Sequence, residues 1–375
     1  MVRPMDSFFI SDVSRELGMS FVTASKICND LKARRLIISE GKGDSTTEGG
    51  KKPIRYKFNP KSGYVLCGHI TGTNLECAIS DMTGRLVAEV SVVLSPAETG
   101  KTLCGKMLKC YRSLLSNMSL AGRSIVSIAI GVNGIVDSVN HRIKISPHFP
   151  YMLNADIKLM VADMIAPEAA LYLDNKIRFQ VQYEADVGVA RGKKDVAVLL
   201  ASDGLVAGIM IGGKILSGIN NLAGEIGHTT VSQDSRILCH CGGRGCAESS
   251  VTLQALSAAL KQEKVEYINS AIEVFKSSAA TDPKLAQVVD RIIGALAVSV
   301  SNLVMHIDPE IIVIQGIYAD AGKAFYDKLT QRVKEMCITG MADKTINIVP
   351  SRFGDKVGLL SAAHYAITKY FDEEE

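Results

Sequence analysis

Two neighbouring segments of this 375-residue chain, Gly224–His228 (GEIGH) and Cys239–Glu248 (CHCGGRGCAE), crowd together its potential metal ligands. They contain the ligand types and number that a tetrahedral structural zinc site requires, namely His228, Cys239, Cys241 and Cys246. Glycines between the cysteines let the backbone turn tightly enough for several sulfurs to approach one ion. We therefore predict a zinc site, with His240 as a rival histidine ligand. Buried reduced thiols beside a surface histidine would explain the residue types but not their crowding.

The two segments also carry a family resemblance. GEIGH followed by C-x-C-G-x-x-G-C-x-E resembles the zinc-binding signature of the ROK family, which contains sugar kinases and sugar-responsive repressors. The resemblance implies that the same histidine and three cysteines hold zinc, and that Glu225 and Glu248 contact a sugar. It also implies the fold class, an α/β chain whose body is a two-lobed actin-like ATPase fold.

Composition places the chain among soluble globular proteins, with 47% hydrophobic and 22% charged residues and a length that suggests two or three domains. The sequence shows no secretory signal. The most apolar helical run, 292–307, is interrupted by polar residues and predicts a buried helix rather than a membrane span. Nine cysteines, three of them clustered, do not form the pattern of a disulfide framework, which indicates a reducing cytoplasm.

Charge is unevenly divided along the chain. Residues 1–62 contain twelve Lys or Arg and seven Asp or Glu, a balance of 12 − 7 = +5, so the remainder carries 3 − 5 = −2. A small basic N-terminal part on a slightly acidic body indicates a nucleic-acid-binding head.

The N-terminal pattern predicts a helix-turn-helix. A short helix is predicted over Ser11–Leu17, with Ser11 as its N-cap and Gly18 ending it. A second helix is predicted over Phe21–Arg34. One face of that helix is apolar, with Ala24, Ile27, Cys28 and Leu31. The other face offers side chains suited to a major groove, Thr23, Ser25, Lys26 and Asn29. A plain packing hairpin is the alternative interpretation.

A wing is predicted after the second helix. Strand-like runs at 36–38 and 54–58 flank a Gly-rich basic loop, which resembles the loop that ROK repressors place after their helix-turn-helix. Lys51, Lys52 and Arg55 would contact phosphates or a minor groove, although a solvated loop with incidental charge shows the same pattern. A winged domain of the family it resembles has a further helix before the position of Ile10, but only Met1–Phe9 stand there, so that helix is short or missing.

The phosphate-handling motifs of ROK kinases are altered in the body. His69–Thr73 (HITGT) stands where kinases carry Asp-x-Gly-Gly-Thr, so the carboxylate that would position Mg²⁺ is missing. Asp203–Gly208 (DGLVAG) is a degraded version of the nucleotide-phosphate loop, and Gln315 replaces the first glycine of D-P-E-x-I-V-x-G-G.

One position separates an enzyme from a regulator. ROK kinases share N-D-x-N-x-x-x-x-x-E, whose aspartate takes the proton from the sugar hydroxyl as it attacks phosphate. Alignment on Glu184 places Asn175 on the first asparagine, Lys176 on the aspartate and Arg178 on the second asparagine. An ammonium is already protonated at neutral pH and cannot act as that base unless it is strongly desolvated. We therefore expect no kinase activity.

A ligand pocket is expected between the two lobes of the body. Its predicted residues are Asn175, Lys176, Glu225, His228, Glu248 and His148, the last replacing a family asparagine. Glutamate and asparagine side chains suit sugar hydroxyls because they accept or donate in fixed directions. Two hypotheses explain the cation at position 176. In the first, Lys176 and Arg178 bind an anionic effector such as a sugar phosphate. In the second, Lys176 forms an internal salt bridge with Glu225 or Asp174.

The sequence thus predicts a cytoplasmic, sugar-responsive transcriptional regulator, acting as a repressor with structural Zn²⁺, a DNA operator and a small sugar effector as partners. We expect a homodimer or homotetramer with no membrane association. The expected domains are a winged helix-turn-helix at 1–61, an N-lobe at 62–185 completed by 357–375, and a C-lobe with the zinc site at 186–356. A ROK-type sugar kinase using ATP, and an interaction protein that no longer binds DNA, are the alternatives.

Overall fold

The computed structural model describes residues 7–43, 52–116, 124–147, 149–152, 154–158, 169–232, 237–265, 275, 282–338 and 346–372. Lys51 and His148, both among the predicted site residues, lie outside the described residues. The fold is mixed α/β, as predicted, with a small N-terminal head followed by two lobes that are each built on a five-stranded sheet.

The head is a helix-turn-helix followed by a two-stranded wing. It contains α1 (Ile10–Glu16), α2 (Phe21–Ala33), β1 (Ile37–Lys42) and β2 (Ile54–Phe58), with the two strands antiparallel. Helix α1 begins one residue earlier than predicted, so Ser11 is not its N-cap. The Asp12 carboxylate instead accepts from the Phe9 backbone N–H at 2.8 Å. Gly18 follows α1 with φ of +62°, a conformation in which glycine replaces side-chain-bearing residues at little cost.

The prediction that Ile27 belongs to the buried face of α2 is wrong, because its side chain is 40% exposed. Ala24 and Cys28 form the buried face and pack with Phe8 and Tyr56. Phe8 and Tyr56 exchange two backbone hydrogen bonds of 2.8 Å, so one extended residue before α1 extends the wing. In the described head, α2 is covered by one short helix and this small sheet, which leaves its flank at Ile27 in solvent.

The N-lobe is organised on a sheet of order β10-β6-β3-β4-β5, with a three-stranded sheet β7-β8-β9 beside it. Helix α3 packs on one face of the larger sheet, and a 3₁₀ turn spans Pro150–Met152. The elements are β3 (Tyr64–Ile70), β4 (Asn74–Asp81), β5 (Leu86–Val93), α3 (Gly100–Ser116), β6 (Ile125–Val132), β7 (Ile135–Asp137), β8 (Arg142–Ile145), β9 (Ala155–Asp156), β10 (Ala170–Asn175) and α4 (Lys176–Asp186).

The C-lobe sheet has the order β13-β12-β11-β14-β15, and its main core lies between this sheet and the helices α7 and α8. A 3₁₀ turn spans Ile226–His228. The elements are β11 (Val196–Ala201), β12 (Leu205–Ile211), β13 (Lys214–Ile215), α5 (Glu248–Val251), α6 (Leu253–Gln262), α7 (Pro283–Ile307), β14 (Ile311–Gly316), α8 (Lys323–Met336) and β15 (Ile348–Pro350). The last helix, α9 (Val357–Asp372), follows β15 and returns to the N-lobe.

Helix α7 is long and apolar enough to cross a membrane by length and composition, but 61% of its most apolar window is buried inside the structure. Core helices of globular proteins pass the same test. Its buried residues include Val288, Ile292, Leu296 and Val300, spaced by four residues along one face that packs in the C-lobe core.

Strand register places the polar residues of the cleft together. His69 on β3 pairs with Gly131 on the parallel strand β6, and Gly131 pairs with Asp174 on β10. Helix α4 begins directly after β10 and packs against both sheets, through Phe179 toward the N-lobe and Val181 toward the C-lobe. The carboxyl ends of parallel strands meet at one edge of a sheet, which is where ligands bind in open α/β folds.

Helix α9 packs on the N-lobe sheet and reaches both the cleft and the head. At its first turn Gly358 lies against the ring of His69, with no space for a Cβ atom. Near its end Phe371 meets the ring of Phe58, the last residue of β2, at a centroid distance of 6.1 Å and in edge-to-face orientation. Phe58 is buried in the same cluster as the α9 residues Ala362, Ala366 and Ile367. The wing is therefore anchored to the body through this aromatic side chain.

We expect Phe58→Ala to destabilise the chain by about 3–5 kcal/mol, because it removes a buried ring that joins the head to the body. The matched control is Phe21→Ala, since Phe21 is 58% exposed. Thermal unfolding and limited proteolysis measure the difference. Equal melting temperatures and equal cleavage rates for the two variants would contradict this account of the anchor.

Candidate effector site and metal centre

His228, Cys239, Cys241 and Cys246 converge in the structure. Their ligand atoms all lie within 4.8 Å of one another. The Sγ atoms of Cys241 and Cys246 are 3.7 Å apart, and the Cys239 Sγ lies 3.7 Å from His228 Nδ1. Tetrahedral zinc with Zn–S bonds of about 2.3 Å sets its sulfurs about 3.8 Å apart, so these spacings match the edges of such a site.

Backbone hydrogen bonding and burial act differently on the cluster thiols. The Gly243 N–H donates to the Cys241 sulfur at 3.4 Å and lowers the pKa of that thiol. Burial raises the pKa of the Cys246 thiol to about 12. A bound cation would ionise Cys246, because metal coordination deprotonates a thiol outright. The donor set of three sulfurs and one imidazole is the chemistry of a structural zinc site.

Two glycines bring the segments of the cluster together. Gly245 has φ of +72° and a Cβ atom there would strike the carbonyl oxygen of Ser232. Gly224 has φ of +93° and a Cβ atom there would strike the carbonyl oxygen of Ala207 on β12. Only glycine allows these close approaches in this region of backbone conformation.

His240, the rival ligand, lies beside a glutamate. Its Nδ1 is 3.0 Å from Glu248 Oε1 and 3.9 Å from the sulfur of Cys239. His228, His240 and Glu248 also form a group of potential metal ligands. The four-residue group has the sulfur donors that structural zinc sites favour, so it is the better candidate for a zinc site.

Glu225 and Glu248, the two predicted sugar-contacting residues, lie close enough to interact electrostatically. Burial, and secondarily the charge of Glu248, raises the pKa of the Glu225 carboxyl. Glu248 Oε2 accepts from the Leu205 backbone N–H at 2.9 Å. The structure therefore fixes Glu248 against β12.

Lys176 is buried, and burial lowers the pKa of its ammonium while the charges of Asp203 and Glu76 act in the opposite direction. Within the described part of the chain its Nζ makes no hydrogen bond and no ion pair within 4 Å. The salt bridge to Asp174 or Glu225 expected under one hypothesis is therefore not formed among these residues. Glu76 and Asp203 are site residues that the sequence reasoning missed.

Arg178 is bonded within the chain. Its Nη1 donates to Asp174 Oδ1 at 2.6 Å, and its Nη2 donates to the carbonyl oxygen of Asn221 at 3.0 Å. Its side chain is 4% exposed. The guanidinium thus ties the start of α4 to the loop that leads into Glu225.

Asn175 has a structural role at the start of α4. Its Oδ1 accepts from the Ile177 N–H at 3.1 Å, which caps the helix. Its Nδ2 donates to the carbonyl oxygen of Gly134 at 2.9 Å. Both ends of this amide are used, and the side chain joins α4 to the turn between β6 and β7.

His69 and Glu76 form a pair at the N-lobe side of the cleft, with His69 Nδ1 2.8 Å from Glu76 Oε2. Burial lowers the pKa of the His69 imidazole, and its Nε2 is buried without a hydrogen-bond partner among the described residues. The two residues are directly opposite in the antiparallel register of β3 and β4. The register of this hairpin is the signal that could have identified Glu76.

A cavity of about 570 Å³ lies beside the metal cluster in the C-lobe. Glu248 is the predicted ligand residue that lines this cavity. Its wall also includes Asp203, His240, Gln254 and Arg291. Its volume is within the range of small-molecule sites, about 300–1,000 Å³.

The described DNA-contacting candidates lie on helix α2 and on the wing. Lys26 and Asn29 are exposed on α2, where Val22 is also 65% exposed and Ser25 is partly exposed. Thr23 Oγ1 instead lies 2.8 Å from Ser20 Oγ, which caps α2 through the Thr23 N–H. On the wing, Lys52 is exposed and the Arg55 guanidinium lies 5.3 Å from the centroid of the Phe9 ring.

Together the fold and the site define a two-lobed actin-like protein that carries a winged helix-turn-helix head and a Cys₃His cluster. The ROK family model matches residues 65–369, so the chain belongs to the ROK family. The chain is 22% identical over 337 residues to the xylose repressor of Caldicellulosiruptor bescii, covering 86% of this chain and 82% of the relative.

Two solved structures share the fold to different extents. A ROK family transcriptional regulator, described as a homologue of the E. coli MLC protein, matches with a TM-score of 0.79 at 20% identity, covering 97% of this chain and 92% of that chain. A ROK family glucokinase from Streptomyces griseus, in complex with glucose and AMPPNP, matches with a TM-score of 0.68 at 21% identity. It covers 82% of this chain and 100% of that chain.

We expect the purified chain to bind one zinc ion, and Cys239→Ser to lose that ion and melt at a lower temperature, because metal binding contributes to folding. Cys337→Ser is the matched control, since Cys337 lies outside the cluster. Elemental analysis and thermal unfolding measure both effects. A native chain that contains almost no zinc and keeps its fold would refute the assignment.

Proposed function

We propose that this chain is a sugar-responsive transcriptional repressor of carbohydrate genes. The observation that carries the proposal is the head that precedes the body: the regulator structure aligns with 97% of the chain, whereas the whole glucokinase aligns with only 82% of it. The smaller coverage by the glucokinase agrees with the extent of the family model. That model begins at residue 65, after the helix-turn-helix and wing. A basic head has no part in phosphoryl transfer, but it supports DNA binding.

We propose the domain division 1–61, 62–185 with 357–375, and 186–356. The packing of α9 on the N-lobe sheet supports the second of these units, and the separate C-lobe core supports the third. Helix-turn-helix proteins bind the two half-sites of an operator as dimers. We therefore propose that the chain is a cytoplasmic homodimer or homotetramer.

The chain is proposed to lack kinase activity. Lys176 occupies the position of the catalytic base, and His69 occupies the position of the acid that positions Mg²⁺. Gln315, which replaces a glycine of the family, donates from Nε2 to the buried Glu184 at 3.0 Å. Phosphoryl transfer depends on positioned phosphates and metal, and these replacements remove the groups that would position them.

The effector is proposed to be a neutral sugar. Arg178 is already paired with Asp174, and Lys176 is a further cation among the described residues of the cleft. Glu76 and Asp203 act electrostatically on Lys176, and Glu225 and Glu248 add two more carboxyl groups that interact with each other. An anionic effector would meet more negative than positive charge there, whereas sugar hydroxyls both donate to carboxylates and accept from an ammonium.

A structural Zn²⁺ is proposed for the Cys₃His cluster. Its ligands would fix the Gly224–His228 segment to the segment that begins α5, and these segments carry Glu225 and Glu248. The metal would supply rigidity, since protein atoms fill all four positions.

For the DNA-binding part, we expect Lys51→Ala combined with Lys52→Ala to weaken binding to all sequences and to flatten its salt dependence, because fewer counterions are released. Lys26→Ala combined with Asn29→Ala should instead reduce the preference for the operator, since these side chains face outward on α2. Fluorescence anisotropy with upstream DNA at several salt concentrations measures both. An unchanged salt slope excludes the wing, and no binding to any fragment favours the interaction-protein alternative.

For the effector, we expect calorimetry to show binding of neutral sugars such as D-xylose or D-glucose and no comparable binding of D-glucose 6-phosphate. A coupled ATPase assay with the same sugars should show no turnover, because Lys176 and His69 stand where the kinases carry the carboxylates that act on the sugar hydroxyl and on Mg²⁺. Lys176→Gln keeps a hydrogen-bond donor and removes the charge. Tight binding of the phosphate that is lost in this variant would show that the effector is anionic, and sugar-dependent ATP consumption would establish a kinase.

A further inference from the structure

We propose that His240 is a positioning residue for effector binding, which connects the metal loop to the carboxylate of Glu248. The inference rests on the proposed function, because it assigns Glu248 to sugar recognition. It adds a residue that the family resemblance does not assign, since His240 stands at a variable position of the C-x-C motif.

Both oxygens of the Glu248 carboxylate have partners. Oε2 accepts from the Leu205 N–H at 2.9 Å, and Oε1 lies 3.0 Å from His240 Nδ1. The side chain of Glu248 is only 10% exposed, so neither oxygen is freely hydrated. The contact is an ion pair by distance, with the Nδ1 edge of the His240 ring against the carboxylate. His240 and β12 therefore hold the carboxylate plane from opposite ends.

The ring of His240 is itself held by the metal segment. Its neighbours Cys239 and Cys241 belong to the cluster, so the backbone on both sides is fixed when metal binds. The turn is closed by hydrogen bonds of 2.8 Å from the Cys239 N–H to the Gly243 carbonyl and 2.9 Å from the Gly242 N–H to the Cys239 carbonyl. The His240 ring also packs edge-to-face on the His228 ring at a centroid distance of 5.2 Å.

This arrangement explains how a structural ion can affect a ligand that it does not touch. The electrostatic effect of Glu248 on Glu225 shows that the two carboxyl groups are close, so their mutual repulsion opposes a fixed geometry. The His240 ring, 3.0 Å from Oε1, limits the orientations that the Glu248 carboxylate can adopt. Without this side chain the carboxylate would turn, and a sugar hydroxyl would lose its acceptor.

The test compares His240→Ala with His240→Asn in the full-length chain, because the asparagine Nδ2 can donate from nearly the same place as the histidine Nδ1. We expect His240→Ala to weaken D-xylose or D-glucose binding about fivefold, the upper end of what an ion pair with one half-exposed partner contributes. His240→Asn should restore most of the affinity. Zinc content should stay at one ion in both variants, and His306→Ala, far along the chain on α7, serves as the control.

A second measurement does not depend on any sugar. In a double-mutant cycle on thermal unfolding, His240→Ala and Glu248→Ala should be non-additive, because each removes the same contact. Additive effects would overturn the proposed contact even if neither sugar binds, and a loss of zinc in parallel with affinity would show that His240 acts through the metal. Equal sugar affinity of the native chain and His240→Ala would also overturn the proposal. Failure of the native chain to bind these sugars, with the cycle non-additive, would count against the proposed effector alone.

Discussion

The buried carboxylate of Glu184 is the interaction on which the arrangement of the two lobes depends. Its Oε1 accepts from Gln315 Nε2 on β14 at 3.0 Å and from Ser351 Oγ after β15 at 2.5 Å, while its Oε2 accepts from the Val189 N–H at 3.1 Å. A charge with no exposure is tolerated only when its hydrogen bonds are supplied by the protein. Glu184 therefore requires α4 to stay against the C-lobe sheet, and every residue at the start of α4 is positioned from that fixed point.

Helix α4 carries two kinds of polar residue. Glu184 and Asn175 bond to the backbone and to neighbouring strands. Lys176 and Arg178 interact with charged groups of this chain. Arg178 is paired with Asp174, and the charges of Glu76 and Asp203 oppose the effect of burial on the pKa of Lys176. The first two residues hold the helix in place, and the last two contribute to the charge of the cleft.

Much of this could be predicted from sequence, and what was missed has a physical reason. The metal cluster was predictable because its four ligands lie within one short segment of sequence, where spacing alone limits the geometry. The wing followed from two strand-like runs on either side of a Gly-rich basic loop. Glu76 and Asp203 were missed because they lie about a hundred and about thirty residues from Lys176 in sequence, and only the folding of the chain brings them near it. Ile27 was misassigned because helical periodicity does not show how many elements cover a helix. The role of His240 depends on a side-chain direction, which spacing does not determine.

A repressor that answers to a sugar needs a physical connection between the cleft and the head, and α9 supplies a continuous one. Its first turn lies on the ring of His69, whose other contact is Glu76, and its last turn holds Phe58 at the end of the wing. A helix of 16 residues spans about 24 Å without a break in its hydrogen bonding. Such an element transmits a displacement only if both ends are packed tightly, because a loosely packed contact absorbs the movement. Both ends meet that condition, since Gly358 leaves no space for a Cβ atom at His69 and Phe58 is buried beneath Phe371. The proposed effector cleft and the proposed DNA-contacting wing are therefore both packed against helix α9.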